Sequence, residues 1–202
     1  MNRADEILNF WFGHIEETVL PTPNRQKIWF APTPEIDEEI RQKFEDDLKK
    51  AIQGVYLPWE ESARGSLALM ILFDQFSRNV YRNTPNAFTQ DQKALDLVLR
   101  GIEREYDHSL SLVERAFYYM PFMHSEVLEM QTTSVRAYKI LVDLSFPEAR
   151  PTFERFLDAA IQRFEIIKTF GRFPTRNQIL SRQSTPQEME YLKTIANRLK
   201  NE

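Results

Sequence analysis

The residues best equipped for chemistry are arginines set among aromatic side chains. Phe170 to Arg182 reads FGRFPTRNQILSR and carries Arg172, Arg176 and Arg182, with Asn177 beside them. Phe73 to Arg82, FDQFSRNVYR, repeats the Arg-Asn pair as Arg78-Asn79 and adds Asp74 and Arg82. A guanidinium among rings is costly to bury unless a carboxylate or phosphate pairs with it. Asp74 and Glu126 are the carboxylates within these motifs, and the arginines outnumber them. A surplus of guanidinium is what an anion-binding pocket needs, because its fork matches carboxylate and phosphate geometry. The opposing reading is an internal ion-pair network that only locks helices together.

A third motif, Tyr119 to Glu126 (YMPFMHSE), places His124 just after a proline break and two residues before Glu126. An imidazole oriented by a carboxylate can serve as general base or hold a ligand. The same position also suits a part-buried histidine that caps a helix. Other chemistries have no foothold. His14, His108 and His124 are scattered without metal-ligand spacing, and no Gly-rich phosphate loop, His-Glu-x-x-His or Gly-x-Ser-x-Gly occurs. Without cysteine there is no disulfide, thiolate nucleophile or Cys-ligated zinc. No metal or other cofactor is expected.

Helices must position these residues. Asn2 can cap a first helix whose apolar face is Ile7, Leu8, Trp11 and Phe12, stopped at Gly13. His14 to Asn24 reads as loop, followed by a short helical turn with Trp29 and Phe30. Thr33-Pro34 opens a helix with Ile36, Ile40, Phe44, Leu48 and Ile52 on one face, ended by Gly54. Leu67 to Phe76 is apolar nearly all round, which predicts a central, buried helix. If that helix persists, Asp74, Arg78 and Arg82 share one side. Thr89 with Gln92, Ser111 with Glu114 and Thr185 with Glu188 are capping-box patterns for three later helices. Val127 to Leu144 reads as a helix, and Pro147 and Pro151 open a long one that closes at Gly171. No strand or hairpin signal appears. The expectation is an all-α chain of about eight helices packed as antiparallel pairs, a single domain over residues 1–202.

Bulk composition narrows the partners. A net charge of −4 argues against nucleic acid or an anionic membrane being held by overall charge. The apolar run Leu67 to Phe73 stops at Asp74, far too short to span a bilayer. Asp5, Glu6, Glu16 and Glu17 are foreign to a signal-peptide core, so a cytoplasmic location is expected.

At these same motifs the sequence resembles the domain of unknown function 924 family, a mostly bacterial group. The resemblance is carried by Phe10-Trp11-Phe12, Gly65 to Leu69, Asp74 to Arg82, Thr84-Pro85, Ala87-Phe88, Glu114-Arg115, Tyr119 to Glu126, Gln131, Phe170 to Asn177 and Leu180 to Arg182. It implies an all-helical, TPR-like array with no established activity. The family pattern places Pro at the position of Ser77, Gly at those of Asn83 and Ser181, and His at Thr175 and near Arg163. The chain departs from it there, which weakens a catalytic scheme built on those histidines. Three readings stay open. One is a binding protein whose pocket, lined by Asp74, Arg78, Asn79, Arg82, His124, Glu126, Arg172, Arg176, Asn177 and Arg182, holds an anionic small molecule or peptide carboxylate. Another is a hydrolase or transferase on a phosphorylated or carboxylated substrate, with Glu126 or Asp74 as base and His124 as acid. The last is a scaffold for protein partners whose arginine motifs are structural.

Overall fold

The computed structural model describes residues 2–13, 23–30 and 33–199. Every regular element among them is helical, and no strand is present. α1 (Arg3–Phe12) starts where Asn2 Oδ1 accepts the Asp5 amide at 2.9 Å and stops at Gly13, whose φ of 70° an L side chain would resist. α2 (Pro23–Phe30) and α3 (Pro34–Ile52) follow, the latter capped by Thr33. The expected loop therefore ends earlier than Asn24; its residues 14–22, His14 included, lie outside the described residues.

The chain is built around one rod. α4 (Ala63–Met70) passes without a break into a π-helical segment (Ile71–Phe76) and then α5 (Ser77–Val80). All residues from Leu67 to Phe73 are buried, as the continuous apolar run requires. Around it stand α1, α3, α6 (Asp91–Glu103) and α7 (Leu112–Tyr118). α8 (Met120–His124) opens with Pro121 in its first turn, where the missing amide hydrogen does no harm. α9 (Leu128–Leu144) and α10 (Arg150–Phe170) pack along their lengths and are joined by residues 145–149 only, so they run antiparallel. α11 (Pro186–Leu199) closes the described chain.

Aromatic rings tie these layers together. Trp11 meets Phe76 at 5.7 Å and Phe117 at 5.6 Å between ring centroids, and Phe117 meets Phe156 at 5.9 Å, all edge to face. Each such pair adds about 1 kcal/mol beyond simple burial. The rod, α7 and α10 are thus keyed to one another.

Two local expectations fail. Thr89 and Gln92 form no capping box: Pro85–Phe88 is a 3-10 turn and Thr89 still has helical angles, so its hydroxyl bonds back to Asn86 O. A cap needs an extended residue, and α6 starts later, at Asp91. Arg82 also leaves the side shared by Asp74 and Arg78, because the rod ends at Val80 and Tyr81 turns the chain toward α3. The other two boxes form. Ser111 and Glu114 exchange both bonds, as do Thr185 and Glu188. Asn83 and Ser181, where the family pattern has glycine, sit at φ 61° and 53°, the left-handed region glycine favours. None of the described helices is long and apolar enough to cross a membrane.

Candidate functional site

Asp74 owes its position to the π-helical segment. The wider i→i+5 turn re-aims one side chain within an otherwise regular helix, and such turns recur at functional sites. Asp74 is 1% exposed and its Oδ1 lies 2.6 Å from His124 Nδ1, across from the end of α8. Gln75 and Arg78 also bond its carboxylate, the latter at 3.3 Å. Burial opposes ionisation of Asp74, yet the neighbouring His124 and Arg78 hold its carboxyl well below the usual range. Burial, then the Arg78 charge, lowers the His124 pKa to about 4, against the pull of Asp74. The ring is neutral near pH 7, and a carboxylate on Nδ1 fixes the proton there. Nε2 is left as an acceptor, with no hydrogen bond among the described residues.

Three arginines surround this dyad. Arg78 reaches Asp91 Oδ1 at 2.8 Å, and Arg176 reaches Asp91 Oδ2 at 3.1 Å, so one carboxylate holds two guanidiniums. Arg176 is clamped further: it bonds His124 O at 2.9 Å and lies between the Phe88 and Phe173 rings, 4.6 and 4.8 Å from their centroids. Arg163 on α10 differs. Its guanidinium has no carboxylate within salt-bridge distance among the described residues and only a long 3.4 Å contact to Ala159 O. Burial lowers its pKa, and Arg78 adds to that.

These groups line two adjoining cavities. The smaller, about 320 Å³, is walled by Arg78, Arg163, Arg176, His124, Phe173 and Thr175, among others. The larger cleft, about 500 Å³, shares Phe88, His124 and Arg176 with it and adds Asp91, Glu126, Leu95, Pro121, Val127 and Leu180, among others. Thr175, where the family resemblance implies histidine, and Arg163, near another such position, both line the smaller cavity. Among the described residues no cluster of His, Asp and Glu has the makings of a metal site.

The structure brings together Asp74, Arg78, His124 and Arg176 of the sequence-derived set, with Glu126 lining the larger cleft. It separates the rest. Asn79 and Arg82 both bond Asp37 on α3, at 2.8 and 2.7 Å. Arg172 forks onto Glu188 at 2.6 and 2.8 Å, pinning the start of α11, and with the Thr185 amide holds that carboxyl at about 2. Arg182 forks onto Glu126 at 2.7 and 3.0 Å, and Asn177 donates to Ser184. The motifs' two carboxylates are not the arginines' only partners, because Asp37, Asp91 and Glu188 reach them from other elements. Sequence reading missed Asp91 and Arg163 as cavity residues. Asp91 stands between Thr89 and Gln92, the expected capping box, and Arg163 stands in an ordinary helical stretch, marked only by lying near a position where the family resemblance implies histidine.

A family model described as bacterial protein of unknown function (DUF924) matches residues 7–195. A solved protein of unknown function from Agrobacterium tumefaciens is 32% identical and superposes with a TM-score of 0.78, over 95% of this chain and 97% of that one. No curated protein matches the sequence.

Proposed function

The chain belongs to the DUF924 family of bacterial proteins of unknown function, and from there we propose that it is a helical binding protein for an anionic small molecule. The smaller cavity is the binding site, with Arg78, Arg163 and Arg176 facing the anion. One observation carries this reading: Arg163 faces the cavity with no carboxylate to neutralise it. A part-buried guanidinium without a partner is unfavourable unless an anion supplies one. Arg78 and Arg176 are already held by Asp91 and the Phe88 ring, so they are preorganised and little ordering is needed on binding.

Calorimetric titration with inorganic phosphate and with acetate tests the reading. Wild type should bind at least one of them, and Arg163→Gln should weaken it about tenfold, the loss of one charge-assisted contact. Absence of binding by wild type, or equal binding by Arg163→Gln, refutes it.

The His124–Asp74 pair supports a second reading, a hydrolase or transferase acting on the bound anion. The geometry favours roles other than Glu126 or Asp74 as base and His124 as acid. Asp74 is enclosed and orients the ring, while the neutral His124 offers Nε2 as a base rather than an acid. Glu126 is engaged by Arg182 and the Phe173 amide and is not free to take a proton.

A further inference from the structure

We propose that the ligand is an amphipathic organic anion, a single phosphate or carboxylate head on an apolar body, bound across both cavities with its junction beside His124. The inference rests on the anion-binding reading above and adds the substrate class. The two cavities differ in chemistry yet share walls. The smaller one concentrates the guanidiniums of Arg78, Arg163 and Arg176. The larger cleft presents Pro85, Leu95, Pro121, Val127 and Leu180, and its charged members are already satisfied: Asp91 by Arg78 and Arg176, Glu126 by Arg182. Of its uncharged polar lining, Thr89 bonds Asn86 O, Gln92 bonds Asp96 and Ser125 accepts the Val127 amide, so what remains for a ligand there is mainly apolar surface. Phe88, His124 and Arg176 border both spaces, so a head held by the arginines leaves its substituent facing the cleft. At about 500 Å³ the cleft has the size of a small-molecule site, far more than an inorganic ion fills. Val127 supports the same assignment: a half-exposed aliphatic side chain occupies the N-cap position of α9, where a polar residue would bond the helix amides.

Matched probes measured by calorimetry test this: inorganic phosphate, phenyl phosphate and phenol. Wild type should bind phenyl phosphate about tenfold more tightly than phosphate, the gain from burying part of a ring. Phenol should bind far more weakly than either. Arg163→Gln should weaken both phosphates together and preserve their ratio. Val127→Asn with Leu180→Asn should bring the ratio close to one; Asn suits an N-cap, so α9 keeps its start. Equal affinity for phosphate and phenyl phosphate in wild type overturns the amphipathic assignment and leaves anion binding standing. A tenfold ratio that survives Val127→Asn/Leu180→Asn overturns it as well, since the body then lies elsewhere. Phenol binding as tightly as phenyl phosphate overturns it from the other side. Failure of wild type to bind either phosphate removes the premise and the inference together.

Discussion

His124 Nδ1 and Asp74 Oδ1 meet at 2.6 Å, with the carboxylate 1% exposed and the imidazole lining both cavities. A buried carboxylate that also faces Arg78 keeps its charge, so the imidazole must donate from Nδ1. The lone pair on Nε2 then faces the space where a ligand would sit. Nitrogen-detected NMR should find His124 neutral and protonated on Nδ1 at pH 6, changing only near pH 4. A midpoint at the ordinary value near 6.5, or the opposite tautomer, would contradict the geometry.

The same shift makes stability depend on pH. His124 binds its proton at about 4 when folded and near 6.5 when unfolded, so its contribution is complete above pH 6.5 and declines as pH falls toward 4. The full loss amounts to about 3 kcal/mol. Asp74, shifted downward, acts in the same direction at still lower pH. Urea denaturation of wild type and His124→Gln at pH 7 and 4.5 should show a steeper decline in wild type. Parallel declines would assign the acid sensitivity to other groups.

Arg82 and Asp37 should matter to the fold and not to the ligand. The Arg82 side chain is 40% exposed, so solvent screens the pair, and Arg82→Gln should cost about 1 kcal/mol. Anion affinity should stay within about twofold, as expected for a site apart from the cavity. A large affinity loss in this variant would return Arg82 to the binding site.

Gly101 on α6 leaves room for Tyr118. An added Cβ would fall 1.7 Å from the Tyr118 hydroxyl, which shares a 2.8 Å hydrogen bond with buried Ser66. Gly101→Ala should therefore destabilise by about 2–3 kcal/mol despite the better helix propensity of alanine. Adding Tyr118→Phe should recover part of this in chemical denaturation. A neutral Gly101→Ala would mean that α6 shifts away easily.

Ser181 holds φ 53° and Asn83 φ 61°. Serine tolerates that region less well than asparagine, whose short amide can bond the local backbone. Ser181→Gly should stabilise by up to about 1 kcal/mol, while Asn83→Gly should change little. Thermal melts of the two variants give the comparison; a larger gain at Asn83 would reverse the argument.

Local rules made the helices legible. Apolar spacing and capping residues foretold α1, α3, the buried rod, α9 and α10, because each depends on neighbours in sequence. The π-helical segment left no such trace, since its residues also fit an α-helix and only packing selects the wider turn. Charge pairing was the least legible part. Asp37, Asp91 and Glu188 reach their arginines across folds of the chain, from α3, α6 and α11 respectively. Counting carboxylates inside the motifs alone overstated the surplus of positive charge. The one guanidinium that the structure leaves without a carboxylate, among the described residues of the cavity, belongs to Arg163, in no motif at all.

The π-helical turn from Ile71 to Phe76 also carries a genetic consequence. Such a turn accommodates one residue more than the α-helical path, which is what inserting a single codon into an α-helix would require. Deleting one residue there would return the segment to α geometry and leave the helix beyond it in register, because the wider turn is what absorbs the extra residue. Asp74 would then swing away from His124 while the rod itself survived. The dyad is thus one frame-preserving indel from disappearing, and the fold is not.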